Sequence, residues 1–134
     1  VDDCVCPLCW ILWRTGGDVI ELSRANFKQI VDQEGIVLVE CWAPGCGVCL
    51  QLDPIFATVA EAHQQHTFAR MNVLSDEKLG EVFEIEHTPC LMLYRDGLLL
   101  LKKPGNFSES ALEDIVRQAE SLDMELVRAD IESS

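Results

Sequence analysis

The sequence predicts an α/β fold built on a central sheet of mixed strand directions. Three observations carry that expectation. From Asp18 onward, short β-branched and leucine-rich runs alternate with segments of helical period. The run Ile36-Val37-Leu38-Val39 is apolar without alternation, the mark of a strand covered on both faces. Asp96-Gly97 stands between two apolar runs, a two-residue hairpin signal that forces one antiparallel pair. The element order reads β-α-β-α-β-α-β-β-α.

Each element has a local reason. Val19 to Leu22 is a short strand. Ser23 caps a helix to about Gln33, with Ala25, Phe27, Ile30 and Val31 inward and Gly35 as terminator. The second strand starts at Ile36, runs into Glu40-Cys41-Trp42, and meets a turn at Ala43-Pro44-Gly45. A long helix follows from Cys46 to about Gln64, burying Leu52, Ile55, Phe56, Val59 and Ala60. Thr67 to Asn72 is a strand, and Ser75 caps a helix to about Phe83. Thr88-Pro89 introduces the strand Cys90 to Tyr94, and the hairpin returns it through Leu98 to Lys103. After Gly105, Ser108 caps a last helix whose stripe is Leu112, Ile115, Val116, Ala119 and Leu122.

Composition excludes several classes of function. The chain has 134 residues, one domain with a short appendage. Ten Lys and Arg stand against 23 Asp and Glu, a formal net charge of −13. That balance opposes nucleic-acid binding, which needs cations to displace phosphate counterions. It equally opposes a polybasic anchor on an anionic membrane. No apolar run approaches the roughly 20 residues of a membrane-spanning helix. A hydrophobic share of 49% nevertheless supports a real core. The seven cysteines are odd in number and cannot all pair within the chain, which favours a reducing, cytoplasmic setting. The opening Val-Asp-Asp-Cys-Val-Cys lacks the basic start and apolar stretch of a secretory leader.

The chemistry concentrates at Trp42-Ala43-Pro44-Gly45-Cys46-Gly47-Val48-Cys49. Two cysteines three apart at a helix start share a face, close enough to act as a dithiol or to bridge. The unpaired first-turn amides and the positive end of the helix dipole stabilise a thiolate at Cys46 and lower its pKa. Cys49, one turn further in, is shielded and suits the resolving role. Half of a zinc site is the competing reading, but a second ligand pair is missing nearby. Cys90 stands alone, and His63 and His66 fall late in the same helix.

With these motifs in register, the stretch from about Asp18 to Leu122 resembles the thioredoxin family. The resemblance rests on Glu40-Cys41-Trp42-Ala43, Cys46-Gly47-Val48-Cys49, Pro54 in the following helix, Thr88-Pro89 before a strand, Arg95-Asp96-Gly97 at the hairpin, and Gly105 before the last helix. It implies a thioredoxin fold and a protein-disulfide reductase with no required cofactor beyond the Cys46–Cys49 disulfide. It also implies a cis Pro89 facing the cysteines, with Thr88 pairing its backbone to an extended substrate. Trp42, Gly45, Gly47 and Val48 would complete the substrate platform. Glu40 stands where the family carries Asp. Desolvation at the inner end of the strand would raise its pKa and fit it to take the proton of Cys49; a strand-end Glu in solvent is the plain alternative. Gly45 replaces a second Trp of the family and Val48 replaces a Pro, which changes the conformation and N–H count around the thiolate. Cys41 and Cys90 read as small core residues, with a regulatory or glutathionylated Cys90 as the lesser reading.

Three regions follow: a Cys- and Trp-rich extension at 1–17, the thioredoxin domain at 18–122, and an acidic extension at 123–134. Cys6-Pro7-Leu8-Cys9 looks like the second pair of the zinc ribbon that some thioredoxins carry. Zinc at Cys4, Cys6 and Cys9 would have three sulfur ligands where a closed site wants four. Asp123 to Ser134 either extends the last helix or forms a partner-binding segment. The expected function is thiol–disulfide exchange on protein disulfides by a monomer re-reduced by a thioredoxin reductase. A non-enzymatic partner-binding module and a metal-binding redox sensor using the N-terminal cysteines are the alternatives.

Overall fold

The computed structural model describes residues 19–74, 81–85 and 87–133. In chain order the elements are β1 (Ile20–Leu22), α1 (Phe27–Val31), β2 (Ile36–Trp42), α2 (Gly47–Ala62), β3 (Thr67–Asn72), β4 (Cys90–Arg95), β5 (Leu98–Pro104), α3 (Glu109–Ser121) and α4 (Met124–Ser133). The strands form one sheet in the order β1-β3-β2-β4-β5. The pairs β1–β3 and β3–β2 are parallel, and β2–β4 and β4–β5 are antiparallel. This is the mixed sheet expected from the hairpin.

The unbroken apolar run of β2 is explained by its central place. Ile36 and Leu38 pack with Leu91, Leu93 and Phe68 against Leu52, Phe56 and Val59 of α2 and Leu112 and Val116 of α3. Val37, Val39 and Cys41 point the other way, with Met71, Met92 and Tyr94 against Val31 and Phe27 of α1. A strand with helices over both faces needs apolar side chains at every position. Glu40, even-numbered, falls on the α2 face. At the hairpin Asp96 and Gly97 have φ of 53° and 83°, both left-handed as a two-residue turn of this kind requires. Asp96 Oδ1 accepts the Gly35 amide at 2.8 Å, tying the hairpin to the start of β2.

Several boundaries differ from the sequence expectation. Ser23 does not cap α1. Asn26 Oδ1 accepts the Ser23 amide at 2.7 Å and its Nδ2 donates to the Glu21 carbonyl, so a turn occupies the first expected helical residues. Ala25 is accordingly exposed rather than inward, and α1 stops at Val31 rather than Gln33. Cys46 is the N-cap of α2 rather than its first helical residue, and α2 ends at Ala62 rather than Gln64. Leu122 is the C-cap of α3, 37% exposed instead of buried. The chain does not extend α3. It breaks at Leu122-Asp123, where Asp123 Oδ1 accepts the Glu125 amide at 3.0 Å and starts α4. Met124 buries itself, and Arg128 pairs with Asp96 at 3.3 Å. The helix expected from Ser75 has only Glu81 and Val82 as helix among the described residues; Ser75 itself lies outside them. The N-terminal extension, with Cys4, Cys6 and Cys9, also lies outside them.

Arg95 closes the far end of α3, where helix carbonyls lose their partners. Its Nη1 donates to the Ala119 carbonyl and, at 3.0 Å, to that of Leu122. Arg95→Ala is expected to lower stability by about 1–3 kcal/mol, with little recovery in Arg95→Lys; equal denaturation midpoints for all three chains would refute the cap.

Candidate functional site

The parallel strands β3 and β2 deliver the chain to one end of the sheet, and there α2 begins. Gly45 turns the chain with φ of 82°, a region that an L side chain adopts with strain. Cys46 then caps α2. Its Sγ accepts the Cys49 amide at 3.2 Å, and its carbonyl receives the first helix bond from Leu50. Cys46 and Cys49 are joined as a disulfide with Cα atoms 5.3 Å apart. Cys46 is partly exposed while Cys49 is buried at 2%. One sulfur can meet a partner; the other can meet only its neighbour.

The Thr88–Pro89 bond is cis, as the resemblance implied. The Thr88 carbonyl lies 3.6 Å from Cys46 Sγ, and the Pro89 carbonyl is taken by the Gly105 amide at 3.0 Å. Gly45 and Gly47 face open space. Val48 and Leu50 are exposed beside the disulfide, an apolar rim on an acidic chain. Trp42 is half-buried, with the Arg70 guanidinium 4.2 Å from the centre of its ring.

Glu40 is 1% exposed, so the solvent-facing alternative is overturned. Asp53, one turn beyond Cys49 on the same face of α2, approaches it. Glu40 Oε1 and Asp53 Oδ1 are both buried without a donor from any other group. In its protonated form the Glu40 carboxyl carries an O–H that the facing Asp53 oxygen can accept. Burial first, then the hydrogen bond and negative charge of Asp53, push the Glu40 carboxyl up to about 8. Arg70 forms ion pairs with the outer oxygen of Asp53 at 3.3 Å and with Glu21 at 3.3 Å. A cleft of about 390 Å³ lined by Glu40, Asp53, Phe56 and Arg70 leads from the pair to solvent. The sequence reading passed over Asp53 and Arg70. A lone acid on the inward side of a helix, next to Pro54, was the available signal for Asp53. Arg70 becomes visible only through its strand register opposite Glu40.

Cys41 and Cys90 are directly opposite in the β2–β4 register and are 0% and 3% exposed. The contact between the two thiols, with burial, drives Cys41 up; the same contact, helped by the Lys102 ammonium, lowers Cys90 to about 7 against the opposing effect of burial. This is the core placement expected of both, and it leaves no room for a glutathione adduct on Cys90 in the folded chain.

A redox-active cysteine pair at a helix start, a buried carboxyl beneath it and a cis-proline beside it, on a mixed five-stranded sheet, define a thiol–disulfide oxidoreductase. The thioredoxin family model matches residues 18–118. The protein named "Putative thioredoxin 2" of Streptomyces coelicolor is 36% identical over 109 residues, 81% of each chain. A thioredoxin of Alicyclobacillus acidocaldarius is 33% identical over 72% of this chain and 96% of its own. In three dimensions, a mutant thioredoxin from Halobacterium salinarum superposes with a TM-score of 0.73 at 23% identity, over 81% of this chain and 96% of that one. The chain belongs to the thioredoxin family.

The raised Glu40 carboxyl has a consequence for stability. In the unfolded chain it ionises near 4.5, in the folded chain near 8, so folding holds a proton that unfolding releases between those values. Its contribution is complete below about pH 4.5 and is lost as pH rises through 8. Glu40→Gln is expected to remove this slope and to be more stable than the parent at pH 8.5 by roughly 2 kcal/mol. Parallel stability curves for the two chains from pH 5 to 9 would contradict it.

Proposed function

We propose that this protein reduces or exchanges protein disulfides through Cys46 and Cys49, with Glu40 and Asp53 handling the proton. The carrying observation is that a partly exposed Cys46 Sγ receives the Cys49 amide at 3.2 Å while Cys49 is buried. In the dithiol state, the helix-start amides favour Cys46 as thiolate. It attacks one sulfur of the substrate disulfide; the Cys46–substrate bond forms, and the other substrate sulfur leaves as a thiolate that solvent protonates. Cys49 then gives its proton to the Glu40 carboxylate and attacks Cys46 Sγ. The internal disulfide forms and the second substrate thiolate departs, so two electrons have passed to the substrate. A carboxyl that titrates near 8 both takes and gives this proton close to neutral pH. Asp53 and the cleft beyond it connect Glu40 to water.

Thr88 offers its carbonyl at the sulfur, where an extended substrate strand pairs with it, and Gly45, Gly47, Val48 and Trp42 shape the surface around it. Gly45 leaves space that a bulkier side chain would fill, which admits broad substrates. The electron donor in this reading is a thioredoxin reductase, and the working form is a monomer that carries electrons between the two. A cytoplasmic location fits the unpaired thiols Cys41 and Cys90. Among the described residues no helix is long and apolar enough to cross a membrane.

Insulin-disulfide reduction tests the assignment. Cys46→Ser is expected to abolish turnover, and full activity in that variant would sink it. Glu40→Gln should slow resolution roughly 10- to 100-fold and remove the rate inflection near pH 8. Asp53→Asn should move that inflection downward, because a negative neighbour is gone. A pH–rate profile unchanged in both variants would rule out the carboxyl pair.

A further inference from the structure

The far end of α2 carries a second cluster that the redox chemistry does not use. His63 caps the helix and His66 ends the short turn before β3. Across from them, Glu113 and Glu120 lie seven residues apart, on one face of α3. His63 Nε2 is 2.5 Å from Glu113 Oε2, and His66 Nε2 is 2.8 Å from Glu120 Oε2. The two rings are near parallel, at 18° with centroids 6.1 Å apart. One donor atom each from His63, His66 and Glu120 falls within 4.8 Å of the others. Two separate ion pairs would need no such convergence.

We propose that His63, His66 and Glu120 bind a divalent first-row transition metal of the zinc and nickel class, with Glu113 holding His63 in place. Imidazole and carboxylate donors are the set that such ions take. Bonds of 2.0–2.2 Å in a tetrahedron place donors about 3.4 Å apart, so closure asks roughly an ångström of side-chain movement, and water fills the fourth position. Both His side chains are largely covered, at 19% and 13% exposure, while the carboxylates are open at 30% and 38%; the ion therefore enters from the α3 side. Glu113 corresponds to the outer carboxylate that fixes a metal-bound imidazole. The site joins the α2–β3 turn to α3. It lies a helix of 16 residues away from Cys46, about 24 Å at 1.5 Å per residue, so it takes no part in the disulfide exchange.

The full chain in its Cys46–Cys49 disulfide form is the sample, titrated with Ni²⁺ and with Zn²⁺. The chain has three histidines, and His87 lies outside the cluster and serves as the internal control. Substoichiometric Ni²⁺ is expected to broaden the ring signals of His63 and His66 before those of His87. Zn²⁺ should raise the melting temperature of the parent chain but not that of His66→Gln. Glu120→Gln provides a second, milder variant should His66→Gln fold poorly, and Glu113→Gln should weaken binding about tenfold. Cys6→Ser/Cys9→Ser keeps the signal if the histidines are the ligands. Broadening of all three histidines together overturns the site, as does metal stabilisation that persists in Glu120→Gln or disappears only with the cysteines.

Discussion

A single amide governs the chemistry of this chain: the Cys49 N–H that points at Cys46 Sγ across the first turn of α2. The first amides of a helix have no carbonyl to meet, so a sulfur placed among them meets partial positive charge without displacing any other bond. Everything upstream serves to put the sulfur there. β2 runs through the sheet centre, Gly45 reverses the backbone at φ 82°, and the Cys46 amide closes the turn on the Ala43 carbonyl at 3.3 Å. Val48 leaves an N–H where the family has proline, so the turn keeps a donor that a proline would remove. For a two-electron couple, about 30 mV is about 1.4 kcal/mol. One amide of this kind is thus on the scale that separates a reductant from an oxidant.

The second constraint is the carboxyl in the core. Among the described residues, Glu40 is the charged residue buried at the level of its apolar neighbours. An ionised carboxylate there is costly, and Arg70, its register partner, pairs with Asp53 and Glu21, so its pull on Glu40 does not offset burial and the Asp53 charge. Glu40 therefore titrates near 8, so at neutral pH the acid form predominates and a minority carboxylate remains to accept a proton. The extra methylene relative to the family's Asp fits this arrangement, because the carboxyl reaches Asp53 on α2. In the proposed mechanism a buried proton with a cleft behind it is a store that the dithiol draws on or fills, according to the direction of electron flow.

How much of this was legible in the sequence depends on the range of the interaction. Ile36 to Val39, Ser108 and Asp96-Gly97 announce strand, cap and hairpin through their own local chemistry, and the structure agrees with each. Cys46 and Cys49 were equally clear, because spacing and helix start sit within one turn. The misses arise where side chains override propensity. Asn26 folds back on Ser23 and takes the start of α1, which no apolar period encodes. α2 ends two residues early at its cap His63, whose imidazole meets Glu113, fifty positions along the chain. Asp53 and Arg70 joined the site only when the register of β2 and β3 and the docking of α2 brought them to Glu40. Cys41 and Cys90 likewise looked like separate core residues until the β2–β4 pairing set them face to face.

That last pair shows how selectivity is achieved in a chain rich in thiols. A protein that exchanges disulfides must keep its other cysteines out of the reaction, and acidity alone does not do so here. The contact with Cys41 and the Lys102 ammonium lower the Cys90 thiol. Access makes the difference. Lys102, which supplies part of that lowering, is anchored by the Phe83 carbonyl at 2.6 Å, and Phe27 and Phe83 meet at a tilt, centroids 4.8 Å apart, in the layer over this face. Cys46 stands in the opposite condition, partly open at the end of the sheet with open space before Gly45. Exchange between thiolate and disulfide needs three sulfurs close to a line, and of Cys46 and Cys90 it is the open Cys46 that can accept a foreign pair. Position in the fold, rather than nucleophilicity, therefore decides which cysteine works.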